Sequence, residues 1–335
     1  MLNTGRGLGF IAAAAVGLFG FTLQASAAEI TLKAISGLQP TNTLTASWLK
    51  NFVPALNAMG KGVVQIEYVG GQDVVHPTKA AAALKRGQFD MLHCPTAYYI
   101  GKVPEGYAML AANQPPQTLR KNGGWEILQE VYAKKVGARL VAWGESGTQY
   151  NMYLMKKPRF DKDGVPNLTG VKMRATGTYR PLFKALGAST INMKSSEIYT
   201  AIQRGTVVGF GWPDVALVPL GLHKIVKYRV TPAFYHTNTV VTMNLGVWKG
   251  LPKKAKDIIS EVAIEYERTS LAYMETERKR EEKILHAAGV KDITLKGEAA
   301  RKYLAIAYGE VWKQLKQRSP EYHDKLRPLL YIPGS

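Results

Sequence analysis

One cysteine, Cys94, stands among 335 residues. It excludes an intramolecular disulfide and any paired Cys-x-x-Cys motif, so stability must come from a buried core, which a chain of this length can build. The six histidines (76, 93, 223, 236, 286 and 323) are dispersed without metal-ligand spacing. GxSxG elbows, HExxH helices and phosphate loops are missing too, so no catalytic residue, cofactor or metal site is expected. Acid is in short supply: 25 Asp and Glu face 44 Lys and Arg, a net charge of +19. The bases are scattered, with modest clusters only at Lys253-Lys254 to Lys256 and at Arg278–Arg280, and no basic run is interleaved with stacking aromatics. Nucleic acid is therefore the least expected partner; an acidic membrane surface, anionic small molecules, or a generally basic surface that says little about the site are the other readings. Tandem repeats and low-complexity stalks are absent, which disfavours a scaffold or adhesin.

Long apolar runs are also lacking, with one exception. Leu8 to Leu23 is apolar, follows Arg6, and leads into Ala25-Ser26-Ala27, a small-residue cleavage pattern. These features mark residues 1–27 as a signal peptide cleaved near Ala27; a membrane anchor is the alternative, but the run is short for a span. Removal takes away Arg6 and no acid, so the net charge becomes +18. No later stretch is long enough to span a membrane, and an exported, soluble chain is expected.

From residue 29 the pattern alternates strands and helices. Residues 29–36, 63–69 and 89–93 read as strands, with helical spacing between them (Leu44, Trp48, Phe52, Leu56; then 78–86, stopped by Gly87). Pro54 should kink or break the first helix. Residues 101–125 read as irregular, 125–135 as a helix and 139–143 as a strand. The stretch 167–213 repeats the alternation: strand 171–175, helix 179–186 ended by Gly187, strand 189–193, a helix capped by Ser195 or Ser196, and strand 207–210. Ala82 to Asp90 and Thr200 to Val208 align as helix, Arg-Gly, strand, which suggests two lobes of related architecture. Parallel β-α-β units bind ligands beyond the C-terminal ends of their strands. Arg174 stands at such an end, as an ordinary surface arginine or as a planar two-pronged donor for a carboxylate. Trp212 stands just past another, as an apolar wall with one N–H or as hinge packing. Tyr98 and Thr96 follow the third strand, and the Gln39 turn follows the first. Residues 240–247 read as a strand returning across a hinge, preceded by Tyr235 and His236, of which Tyr235 is the better candidate for the cleft. A helix of over 30 residues begins after Pro252; a further helix spans 297–319, and a Pro-rich tail closes the chain.

The ordered motifs LxGxKxR, FKALGA and SEIYTAIQRGxVxGxxxP resemble the core signature of the DctP-type solute-binding proteins of tripartite ATP-independent periplasmic (TRAP) transporters, in a Gly-Trp-Pro variety. The resemblance implies an α/β, two-lobed periplasmic binding protein fold with mixed sheets, hinge strands and a long C-terminal helix spanning both lobes. Lobe I is expected from 28–146 plus about 239–275, and lobe II from 147–238 plus about 276–335. The family's carboxylate-binding arginine maps onto Arg174. A second arginine found in many members falls near Tyr150, flanked by Gln149 and Asn151, so one fixed positive charge is lost. A common Gln-Glu-Asn-Pro is replaced by Phe210-Gly211-Trp212-Pro213, and a frequent aromatic by Ser195. The implied function is capture of a small organic acid by hinge closure and delivery to the small and large TRAP membrane subunits, with Arg174, Trp212, Tyr98, Gln149, Tyr150, Tyr235, Gln39 and Thr96 as substrate-binding residues. A monomer is the first expectation, and a dimer is compatible. The alternative function is a secreted lyase or hydrolase acting on an organic acid.

Overall fold

Thirteen strands in two large sheets and one small ribbon organise the computed structural model, which describes residues 28–332. The leader assigned to residues 1–27 lies outside the described residues. The strands are β1 (Ile30–Ser36), β2 (Val64–Gly70), β3 (Met91–Pro95), β4 (Ala138–Trp143), β5 (Gln149–Leu154), β6 (Arg159–Phe160), β7 (Pro166–Asn167), β8 (Lys172–Arg174), β9 (Ser189–Ile191), β10 (Gly209–Pro213), β11 (Tyr228–His236), β12 (Thr239–Asn244) and β13 (Lys291–Thr294). The first sheet runs β2-β1-β3-β12-β4 and the second β13-β11-β5-β10-β8-β9; β6 and β7 pair alone. Both sheets are mixed. β1 pairs in parallel with β2 and β3, and β8 with β9 and β10, whereas β12 and β5 are antiparallel to both their neighbours. This is the two-lobed α/β architecture expected from the sequence.

Both helix–strand repeats form as read. The helices Pro77–Lys85 and Ile198–Gln203 are each followed by a glycine in left-handed backbone, Gly87 at φ +73° and Gly205 at φ +69°, a conformation that costs glycine no steric strain. Pro54 does not break the first helix, which runs unbroken from Thr43 to Met59. Its Trp48, Phe52 and Leu56 bury one stripe against Leu32, Ala34 and Met91 and against Ile259, Val262 and Tyr266 of the long helix. Each such side chain contributes about 1.5–3 kcal/mol. Pro54 sits on the exposed face, where water can serve the carbonyl it leaves unpaired.

Three further differences arise where tertiary packing decides. Residues 101–125 hold two short helices, Gly106–Leu110 and Pro116–Asn122, the first buried throughout. The strand read as 240–247 ends at Asn244, whose side chain accepts from the N–H groups of Gly246 and Val247 and caps a helix, Leu245–Gly250. The Pro-rich tail is the helix Pro320–Leu330, with Pro320 in its first turn. That last helix packs on the helix Gly297–Arg318, which lies against β11, and on helices flanking the first sheet.

The chain passes between sheets at residues 144–148 and 237–238, and the two crossings are bonded to each other, Thr237 N–H donating to the Thr148 carbonyl at 2.9 Å. The third crossing is the helix Lys253–Ala287, 35 residues long. On the first-sheet side its buried Glu267 accepts from Arg120 (2.8 and 2.9 Å) and from the Trp143 N–H (3.1 Å), and Ser270 accepts from the Glu145 N–H (3.1 Å). On the second-sheet side Arg278 donates to the Gly147 carbonyl (2.8 Å) and to Asp214 (2.6 Å). Buried Glu281 accepts from the N–H groups of Ala216, Leu217 and Val218 at 2.8–3.2 Å. Among the described residues, no helix is long and apolar enough to cross a membrane.

Candidate functional site

Three strand ends of the second sheet and two turns of the first meet at one small cavity between the sheets. Leu38, Asn42, Leu44, Ala97 and Tyr98 line it from the first-sheet side, and Tyr150, Arg174, Tyr179, Trp212, Pro213 and Ala216 from the second. Leu38 and Leu44 also pack with Val215, Ala216 and Met274 of the long helix, so an apolar cluster closes one side of the cavity.

Arg174 is the last residue of β8, held between β9 and β10 with Ile191 and Phe210 as register partners. It is 1% exposed. Its Nε and Nη2 donate to the Met193 carbonyl at 3.3 and 3.1 Å, and its Nη1 donates to the Tyr179 hydroxyl. Those bonds hold the guanidinium in place and leave one N–H on each terminal nitrogen without a protein acceptor. None of its partners is acidic. A buried, uncompensated cation costs several kcal/mol, so the site is built to receive a negative charge. Among the described residues, no other side chain lining the cavity carries a fixed charge.

The rest of the wall is aromatic and apolar. Trp212 is 5% exposed, its ring centroid lies 5.4 Å from the Arg174 guanidinium carbon, and its indole N–H is buried without an acceptor. It lines the cavity and also packs on Phe210 within a cluster on the second-sheet side. Tyr150 lies opposite Pro213 on β10, and its ring packs at 5.9 Å from that of Tyr179. Gly211 is required beside it: a Cβ there would come within 2.9 Å of the Tyr179 ring. Burial pushes the Tyr98 phenol up to about 12, with the nearby Arg174 charge opposing the shift. Burial raises Tyr150 further still. Both phenols are thus neutral at physiological pH, and Arg174 supplies the formal charge. Among the described residues, no group of three His, Cys, Asp or Glu side chains is placed to hold a metal ion.

Arg174, Trp212, Tyr98 and Tyr150 are therefore brought together, and four other candidates lie elsewhere. Gln149 opens β5 with an exposed side chain, its backbone bonded to Asp214. Tyr235 is one strand further from Arg174, opposite Tyr150; it is buried and donates to the Ala307 carbonyl at 2.9 Å, beneath the helix Gly297–Arg318. Gln39 is exposed and takes part in its turn through the backbone carbonyl, while Leu38 and Asn42 reach the cavity instead. Thr96 faces the first-sheet core, its hydroxyl 2.5 Å from that of Tyr132. Sequence reasoning missed Asn42 and Tyr179. Asn42 caps the first helix, accepting from the Leu44 N–H at 3.0 Å, and an Asn-Thr pair before an apolar helical stripe signals that role. Tyr179 reads from sequence as one of a helix's buried face, and nothing local marks its hydroxyl as the partner of Arg174.

The family described as DctP, bacterial extracellular solute-binding protein family 7, matches residues 35–318. A protein of Nostoc sp. named as a monocarboxylate 2-oxoacid-binding periplasmic protein is 26% identical over 246 residues, a match that spans 68% of this chain and 66% of that one. A TRAP transporter solute binding protein from Bordetella bronchiseptica RB50, crystallised with calcium and picolinate in one site, has a TM-score of 0.78 at 19% identity, covering 91% of both chains. A TRAP periplasmic solute binding protein from Desulfovibrio salexigens with bound orotic acid has a TM-score of 0.77 at 20% identity, covering 90% of this chain and 97% of the other. These two share its fold. With a family match over most of its length, the chain belongs to the DctP family of bacterial extracellular solute-binding proteins.

Proposed function

We propose that this protein is the periplasmic solute-binding subunit of a TRAP transporter, that it captures a small organic monocarboxylate by hinge closure, and that it delivers the ligand to the small and large membrane subunits. The observation that carries the reading is Arg174, a buried guanidinium with no acidic partner among the described residues and with N–H groups left for a ligand in the cavity between the sheets. A carboxylate there forms charge-assisted bonds in a setting that water does not screen. One fixed cation matches one carboxylate, and the Tyr98, Tyr150 and Trp212 rings suit an apolar or aromatic body. The Trp212 N–H is a second donor, for a carboxylate or oxo oxygen. The name of the Nostoc relative and the picolinate and orotate of the two neighbours fall in the same chemical class.

The cavity offers binding groups, and the family and the structural neighbours are solute-binding proteins, so capture is the activity assigned to it. Closure brings Leu38, Leu44 and Tyr98 on lobe I against Arg174, Trp212 and Ala216 on lobe II, with residues 144–148 and 237–238 as the hinge; the ligand favours that state through contacts it makes only there. Export with loss of residues 1–27 places the protein in the periplasm, as a monomer in the first instance. A thermal-shift screen of hydroxy, oxo and aromatic monocarboxylates against matched dicarboxylates, followed by calorimetry, tests the reading. Monocarboxylates should bind more tightly. Preference for a dicarboxylate such as succinate would overturn it and require another cation in the cleft.

A further inference from the structure

A second cationic cleft lies on the seam between the lobes, outside the Arg174 cavity. It has about 1000 Å³ of empty space. Tyr107 on the first-sheet side donates to the Gly177 carbonyl on the second at 3.0 Å, and so bridges the seam at this point. Around that bridge stand Arg180 and Lys184, one helical turn apart, and Arg318 at the end of the helix Gly297–Arg318. Arg180 is half-buried, its Nε is fully buried without an acceptor, and its guanidinium makes no hydrogen bond or ion pair among the described residues. Lys184 is exposed and likewise without an acidic partner. Arg318 donates to Gln314 at 3.3 Å. The one carboxylate in the cleft, Glu310, lies 3.4 Å from Lys313 and is compensated by it. Arg180 and Arg318 both lie near enough to Tyr107 to oppose the upward push of burial on its phenol.

We propose that this cleft is an oxoanion site, distinct from the Arg174 cavity, that takes an inorganic dianion such as hydrogen phosphate. Three cations from two elements converge on one space, with at least two positive charges uncompensated. A dianion with several acceptor oxygens can take N–H donors from more than one direction, whereas a planar carboxylate is served by a single fork. The half-buried guanidinium of Arg180, which has no partner among the described residues, supplies the donors, and Lys184 and Arg318 supply charge at the mouth. A bound anion links the second sheet's Arg180 to the end of the helix Gly297–Arg318 at the place where Tyr107 already ties the lobes. Its effect on closure rests on the hinge reading above; the site itself does not.

Inorganic phosphate is the probe, at low millimolar concentration, with chloride at equal ionic strength as the reference. The protein and its Arg180→Gln, Lys184→Gln and Arg174→Gln variants are melted across a phosphate titration. A concentration fivefold above Kd multiplies the folded-to-unfolded ratio about sixfold, which shifts Tm by about 2 °C in a chain of this size. The expected result is a saturable rise in the wild type and in Arg174→Gln, absent in Arg180→Gln, with Kd raised about tenfold in Lys184→Gln. The proposal fails if phosphate raises Tm no more than chloride does. It fails equally if the rise survives in Arg180→Gln, or if it disappears in Arg174→Gln, which would place the anion in the main cavity. Should Arg180→Gln not fold, an undiminished phosphate response in Lys184→Gln would overturn it.

Discussion

Replacing Arg174 with methionine separates a binding cation from a structural one, because the two roles predict opposite outcomes for fold and affinity. Methionine roughly keeps the length and volume of the side chain and removes its charge. In the unliganded protein two terms oppose each other. The Met193 carbonyl and the Tyr179 hydroxyl lose their donor, at about 1–3 kcal/mol for buried groups left unsatisfied. Against this, a buried cation without an acidic partner disappears, and replacing buried charges by apolar groups of similar volume is often neutral or stabilising by about 1–4 kcal/mol. The net change should lie near zero or on the stabilising side. Ligand binding should respond very differently. Deleting one partner of a desolvated charge pair costs about 2–5 kcal/mol, or roughly 30- to 4,000-fold in Kd. Arg174→Lys should lose nearly as much, since an ammonium group cannot hold the Met193 carbonyl, the Tyr179 hydroxyl and a carboxylate in one plane. Calorimetry with the best monocarboxylate from the screen gives the affinities, and thermal denaturation without ligand gives the stabilities. A methionine variant that loses more than about 3 kcal/mol of stability while keeping wild-type affinity would refute the reasoning and make Arg174 a structural residue.

Two further outcomes follow from groups around the cavity. Trp212→Phe removes a buried N–H that has no acceptor in the unliganded protein, so relief of that donor offsets the lost packing and stability should change by less than about 1 kcal/mol. Affinity should fall about tenfold by calorimetry, and unchanged affinity would show that the indole N–H does not meet the ligand. Glu281, which holds the Ala216 to Val218 backbone, has its carboxyl raised above the ordinary glutamate value by desolvation, with the three backbone bonds opposing the shift. A carboxyl raised in the folded state binds its proton more tightly there than in the unfolded chain. Its contribution to stability therefore declines as pH rises from the ordinary value through the raised one. Glu281→Gln should flatten the fall in Tm as pH rises above the ordinary glutamate range, leaving the part due to Asp214 and Glu267, which desolvation raises likewise. An unaltered slope would remove Glu281 from the account.

The parts of this fold that were legible in sequence are those set by local chemistry. Gly87 and Gly205 end their helices because the next turn needs left-handed backbone, and that requirement is written in one residue. Arg174 was placed at a strand end from the strand–helix alternation alone, and the resemblance supplied its chemistry. Errors came where a neighbour remote in sequence decides the outcome. Tyr235 and Tyr150 are partners across two strands, yet one lines the cavity and the other lies under a helix that begins some 60 residues later. Gln39 and Thr96 were assigned by their loops, but the faces they present depend on how the first helix and Tyr132 pack. Pro54 was read by its missing N–H, whereas the buried stripe of Trp48, Phe52 and Leu56 holds the helix through it. The bond between Tyr179 and Arg174 could not be read, since it depends on the angle at which a six-residue helix leaves the strand.

The long helix behaves as a ruler with a phase. Its polar attachments change sides between Ser270, which serves the first sheet's crossing, and Arg278, which serves the second sheet's wall. Beyond Ser270 the rod continues for about 25 Å to Ala287 at 1.5 Å per residue, so a 10° tilt about that point would carry its end roughly 4 Å. At Glu281 the same tilt amounts to roughly 3 Å, enough to break its bonds to the backbone of Ala216 to Val218 unless that cavity wall moves with it. The azimuth matters as much as the reach. One residue inserted between Ser270 and Arg278 would rotate everything beyond it by about 100°, turning Arg278 away from Gly147 and Glu281 away from Ala216, with helicity intact. Evolution can therefore vary the outer face of this helix freely, but it can lengthen that eight-residue interval only by whole turns.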